Sequence, residues 1–355
     1  MQPAPGRGGS GHEPDGPYCG GNVNSLGMRM RVLSGIQPSG RLHIGNYFGA
    51  MRHQIALQEE HETMYFIASY HALTTLHEPG EMRALTLDVA LDFLTLGLDP
   101  ARTLLFRQQD VPEVTELAWI LSCVTPMGLL ERAHSYKDKV SQGLSPNHGL
   151  FAYPVLQAAD ILIYLSNWVP VGQDQKQHIE ITRDIATKFN NEFGEILVVP
   201  DAYIIEETAV VPGVDGRKMS KSYGNEIGIF EEGTSLKKKV MAIVTDSTPV
   251  EEPKDPSAST PYLLLKLVAP DEAKEWEERY KKGGMGYGQI KRRLFELLEV
   301  TFAPYRERRR ELERDLDYVE DVLVESGRKA RALAHHTMEM VREATGLPIG
   351  YLPPA

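Results

Sequence analysis

The stretch VLSGIQPSGRLHIGNYFGA, Val32 to Ala50, allows few folds. A short apolar run breaks at a Gly/Pro/Ser turn and then passes a His and an Asn, set around Gly45, into an amphipathic segment. A strand that turns directly into a helix is the opening half of a βαβ unit. The following two hundred or so residues repeat that alternation. QIALQEEH reads as helix and TMYFIASYHALT as a buried strand running into a polar loop. PGEMRALTLDVALDFLTLGLDP is a helix bounded by proline at both ends. RTLLFRQQD is the next strand and EVTELAWILSCVT a helix. SPNHGLFAYPVLQAADILIYL and QDQKQHIEITRDIATKFNNEF are helices around the short strand WVPVG, and ILVVPDAYI is the last strand-like run. The predicted class is α/β: a Rossmann-type doubly wound parallel sheet over residues 31–228, with a helical insertion near 110–150.

The pattern changes after Gly228. From Ser235 to Gly346 the apolar residues fall near helical spacing, broken only by DSTPVEEPKDPSAST, so 229–346 is expected to be an all-helical domain followed by a tail, 347–355. No internal repeat is visible. The first 30 residues are rich in Gly and Pro, lack an apolar signal core, and read as a disordered extension. Met28 and Met30 offer internal starts just before the first strand.

Composition narrows the function classes. With 355 residues, 42% hydrophobic, the chain can bury two cores, and no window reaches the roughly 18 consecutive apolar residues of a membrane span. Cys19 and Cys123 are too few for a disulfide framework or a metal site, so a reducing cytoplasm is expected. A net charge of -11 argues against nonspecific coating of nucleic acid but permits a local basic face. Lys291 to Arg314 holds eight basic residues against five acidic ones, which reads either as such a face or as an ordinary solvated helix.

Ligands of open α/β sheets bind beyond the carboxyl ends of the strands, where helix N-termini attract anions. There Gly35 and Gly40 permit a tight turn, Gly45 leaves room for a nucleotide, and His43 and Asn46 can donate to phosphate. In DGRKMSKSYGN, Lys218 and Lys221 with Ser220 and Ser222 suit a triphosphate whose leaving group gains charge. Each motif alone also fits a surface loop; together they form a joint signal. In FAYPVLQAADIL, Tyr153, Gln157 and Asp160 stand at i, i+4 and i+7 and share one helix face. A carboxylate in apolar surroundings suits a single N–H or O–H donor, and indole offers one N–H and no acceptor. Tyr153 and Gln157 can take an α-ammonium, and Gln173 and Gln175 in the next strand-to-helix turn can reach the same substrate.

The pair HIGN and KMSKS resembles the two signatures of class I aminoacyl-tRNA synthetases. IQPSGRLHIGN, AYPVLQAAD and VPVGQDQKQHIE are similar to the tryptophanyl branch, over nearly all of Val32 to Gly346. The resemblance implies ATP with Mg²⁺, L-tryptophan and tRNA(Trp) as partners, a homodimer, and an anticodon-binding role for the helical domain. It implies ATP contacts at Gln37, Ser39, Gly45, Asn46, Lys139, Gly172, Lys218, Met219, Ser220 and Lys221, with His43, Asn46, Lys218 and Lys221 catalytic and no resident metal site. For the amino acid it implies His71, Tyr153, Gln157, Asp160, Val171 and Gln175. Lys137 lies with Lys139 in a basic loop that approaches the triphosphate, and Arg306, Arg308, Arg309 and Arg310 gain a role against RNA. Gln157, Gln173 and Tyr223 differ from residues common in bacterial members. A tyrosine-specific enzyme, a dinucleotide-forming nucleotidyltransferase and a noncatalytic regulatory protein remain open, as does an additional protein partner for the extension.

Overall fold

The computed structural model describes residues 29–348 except 39, 133–146 and 205–210, and of residue 174 only the backbone. The expectations for the extension, Cys19, Ser39, Lys137, Lys139 and the last residues of the tail lie outside the described residues.

Five parallel strands form one sheet in the order β3-β2-β1-β4-β5: β1 (Arg31–Ile36), β2 (Glu62–Ile67), β3 (Thr103–Arg107), β4 (Trp168–Val171) and β5 (Asp201–Ile204). Register runs from Arg31 opposite Glu62 to Ile36 opposite Ile67, and Val32 stands opposite Trp168 across the centre. The chain winds outward to β3, then returns to β4 on the other side of β1. That reversal opens a crevice beyond the carboxyl ends of β1 and β4.

Alternate strand residues serve two cores, as the period of two requires. Leu33, Met64, Phe66 and Phe106 belong to one, and Tyr65, Ile67 and Leu105 to the other. Helix α1 (Pro79–Thr95) packs in the second of these; it begins where expected, with Pro79 in its first turn and the Glu78 carboxylate accepting the Glu81 N–H at 2.6 Å. Helices α2 (Glu113–Val124), α3 (His148–Leu162) and α4 (Lys176–Phe193) cover the first.

The last part of the chain carries α5 (Gly233–Met241), α6 (Thr260–Val268), α7 (Pro270–Lys282), α8 (Tyr287–Arg314) and α9 (Leu316–Thr345). The apolar faces of α5 to α8 continue the core that contains α1. Helix α9 returns to the sheet: it lies against β3 and α2, and its Ala330, Ala334, Met338 and Val341 join the core of Phe106 and Val114. Ion pairs pin it, with Arg107 to Glu320 at 2.7 Å and Arg342 to Glu116 at 2.5 Å.

The basic stretch of α8 does not read as a free cationic face. Arg306 is buried and bonds Glu299, while Arg309 is clamped between Asp88 and Asp92 of α1 and also meets Glu313 at 2.8 Å. Arg308 pairs with Glu311, and Arg310 with Glu232 and Glu307. The charge surplus counted along the sequence is neutralised by carboxylates from elsewhere in the fold. Among the described residues, no helix is long and apolar enough to cross a membrane.

Candidate active site

The two signatures meet at the sheet's carboxyl edge. After β1 the chain reaches His43 and enters helical turns at Ile44–Asn46, Tyr47–Met51 and Arg52–Ala56, the middle one wound as a π-helix. The Ile44 N–H donates to Ile227 O at 2.9 Å, the Ile229 N–H to Leu42 O at 3.3 Å, and the Lys221 ammonium to Gly40 O at 2.7 Å. Two segments just over 180 residues apart in the chain are thereby one structural unit.

Within it, Asn46 Oδ1 accepts the His43 backbone N–H at 3.1 Å, which leaves the amide NH₂ as its donor end. The His43 ring is buried with Nδ1 unpaired. Burial, and then the Lys221 charge, lower its pKa to about 4, so it is neutral near pH 7. A Cβ on Gly45 would lie 2.8 Å from His43 Nδ1 and 3.2 Å from Met219 Cβ, so only glycine lets these two signatures close on each other. Met219 is buried and its N–H donates to Val211 O at 2.9 Å, which leaves Lys218 exposed beside it. Burial lowers the Lys221 pKa, opposed by the charges of Asp92, Glu226 and Asp88.

Asn225 holds this loop in shape. Its Oδ1 accepts the Ser220 N–H at 2.8 Å, and its Nδ2 donates to Asp215 Oδ1 at 2.7 Å and to Lys218 O at 3.1 Å. Ser220 and Ser222 hydroxyls meet at 2.9 Å. The sequence reading did not assign Asn225 a role, although an Asn directly after the left-handed Gly224 is a turn signal.

A cavity of about 340 Å³ opens beside this unit, at the ends of β1 and β4. Gly35, Gln37, His71, Tyr153, Gln157 and Gln175 line it, with Leu33, Phe66 and Val169 as apolar wall. Gly35 is required here because a Cβ would collide with the Phe66 ring. Val171 and Gly172 end β4 and enter the turn, where the Gln175 N–H donates to Gly172 O at 3.0 Å. His71 stands edge-on to Tyr153, and His178 bonds Gln157 Oε1 at 2.9 Å through Nδ1.

Asp160 lies directly behind His71. Burial pushes its carboxyl above the ordinary range, and hydrogen bonds from His71 (2.8 Å) and Gln108 (2.7 and 2.9 Å) pull it back. Gln108 and His178 escaped the sequence reading. A Gln immediately past the last residue of a parallel strand is the available signal for Gln108, and His178 is distinguished only by its place in the first turn of α4.

The profile of the family described as class I tRNA synthetases for W and Y matches residues 25–303. A tryptophan–tRNA ligase of Rhodopirellula baltica is 53% identical over 90% of this chain and 100% of that one. Another, of Fusobacterium nucleatum, is 50% identical over 89% of this chain and 98% of its own length. The tryptophanyl-tRNA synthetase of Campylobacter jejuni, solved with ADP and tryptophan, superimposes with a TM-score of 0.85 at 51% identity, over 90% of this chain and 100% of that chain.

Proposed function

Because this chain belongs to the class I tRNA synthetases for tryptophan and tyrosine, we propose that the cavity and the clasped signatures are two halves of one tryptophan-activating centre. The activity is tryptophan–tRNA ligation: L-tryptophan is activated with ATP, then transferred to tRNA. The single observation that carries the site reading is Lys221 on the Gly40 carbonyl, 2.7 Å away, which sets a cation of the second signature against the turn of the first.

In this reading a tryptophan carboxylate oxygen attacks the α-phosphorus of ATP, the bond to the bridging oxygen breaks, and pyrophosphate leaves. A ribose hydroxyl at the tRNA 3′ end then attacks the carbonyl carbon, and AMP leaves. Neither step needs a protein nucleophile, so the protein contributes orientation and charge stabilisation. His43, Asn46, Lys218 and Lys221 donate to phosphate oxygens, with Ser220, Met219, Gly45, Gln37 and Gly172 shaping the nucleotide side. Lys221 exchanges the Gly40 carbonyl for the departing pyrophosphate, a partner that gains charge only as the bond breaks. Ser39 and Lys139, outside the described residues, are assigned to ATP by resemblance alone. Mg²⁺ would supply charge neutralisation at the triphosphate when bound.

His71, Tyr153, Gln157, Asp160, Val171 and Gln175 form the tryptophan side. Residues 31–228 supply the catalytic unit and 229–346 the tRNA-facing one. Since Arg306, Arg308, Arg309 and Arg310 are each paired with carboxylates, we assign the RNA contact to Lys238 and to Arg292 near the start of α8, which are exposed and in no ion pair with a described residue. A homodimer through α2 and a cytoplasmic location complete the reading. Amino-acid-dependent ATP–pyrophosphate exchange tests it: tryptophan should support exchange far better than tyrosine, and equal rates would overturn the pocket assignment.

A further inference from the structure

Asp160 is 1% exposed, and its hydrogen-bonding polarity is set from one residue further back. Gln108, equally buried just past β3, donates through Nε2 to both carboxylate oxygens, at 2.7 and 2.9 Å. Its amide cannot turn over. Oε1 accepts the Tyr70 backbone N–H at 2.8 Å, and a flipped amide would set donor against donor there and oxygen against carboxylate at the other end. His71 Nε2 stands 2.8 Å from Asp160 Oδ2, and an acceptor-only carboxylate requires the proton to sit on that nitrogen. A directional chain therefore runs from the Tyr70 N–H to Gln108, and from Gln108 and His71 to Asp160.

We propose that Gln108 is a specificity-determining positioning residue: by holding Asp160 as an acceptor, it makes the pocket demand a hydrogen donor on the ring of the bound amino acid. This rests on the tryptophan-pocket reading above. A carboxylate offers about four lone-pair directions, and the three N–H contacts leave one for a ring N–H. An isosteric ring with sulfur in place of N–H brings no donor and strands that acceptor.

The test compares tryptophan with 3-benzothienylalanine in ATP–pyrophosphate exchange, using the full chain and two variants. Gln108→Met keeps the length and removes every bond. Its KM for tryptophan should rise about 10- to 100-fold with kcat within about threefold, and its preference for tryptophan over the sulfur analogue should shrink by a similar factor. Gln108→Glu keeps the acceptor for Tyr70 but sets two carboxyls to share a proton, so the pH dependence of KM should move to higher pH than in the parent. A parent chain that fails to prefer tryptophan over the analogue overturns the pocket reading itself. A parental preference that survives unchanged in both variants overturns the role of Gln108 alone. Should Gln108→Met fail to fold, Gln108→Glu decides, and nitrogen-15 NMR of the unaltered chain gives a reading free of any substitution: His71 Nε2 should carry a proton, and an unprotonated Nε2 would refute the chain.

Discussion

At the scale of single residues, the closure between signatures depends on an absent side chain. Gly45→Ala should push His43 and Met219 apart by several tenths of an ångström, and misplaced phosphate donors cut adenylate formation by on the order of 10²-fold. Single-turnover formation of the adenylate measures that, and tryptophan affinity should hold because the cavity lies beyond the clasp. His43 also carries a pH signature. Its folded pKa, about 4, lies below the ordinary 6.5, so between those values the unfolded chain takes a proton that the folded chain refuses. Stability should fall as pH drops through that window, and His43→Gln should flatten the decline in a urea-denaturation series. Residues of this kind were legible in the sequence because strand-end glycines and a His-Ile-Gly-Asn turn sit where the fold places ligands. Gln108 was not, because its importance comes from facing Asp160, 52 positions further along the chain, which no local pattern encodes.

Between elements, α1 and α8 are joined by charge as well as by apolar contact. Arg309, whose side chain is 11% exposed, is held by Asp88, Asp92 and Glu313. Burial holds the Asp92 carboxyl up at about 7 even against the opposing charge of Arg309. Arg309→Leu leaves Asp92 buried without its counter-charge and should cost about 3 to 5 kcal/mol in urea denaturation. A loss below 1 kcal/mol would mean that solvent reaches the clamp. The arginine run looked like an RNA face because a linear count of charge sees only neighbours along one helix. Asp88 lies 221 positions away, and only the packing of α8 on α1 brings it in. Helix and strand identities were far more legible, since periods of two and of three to four are local properties; the return of α9 to the sheet was not, since its apolar stripe fits any core.

For the whole molecule, the exposed apolar surface of α2 and the connection after it is the face on which the proposed homodimer would form. Trp119 is 72% exposed and lines a cavity that also touches His71 and Tyr153, and Met127, just after α2, is 62% exposed. Light scattering at micromolar concentration should give twice the chain mass, and Trp119→Glu should give the single mass with reduced tryptophan activation. An acidic molecule must hold tRNA through few contacts. Reversing Lys238 and Arg292 to Glu should raise the tRNA KM and make the logarithmic salt dependence shallower by about two charges, leaving pyrophosphate exchange intact. The placement of α9 against β3 has a further consequence, in the time that synthesis takes. Arg107 and Glu320 are partners separated by 213 residues, on the order of 10 to 40 s of ribosomal elongation. Throughout that interval the outermost strand and the apolar patch around Phe106 and Val114 await a helix that does not yet exist. Polypeptides interrupted before α9 should therefore bind chaperones and be degraded, so that the cell's stock of this translation enzyme is proofread for completeness by its own last helix.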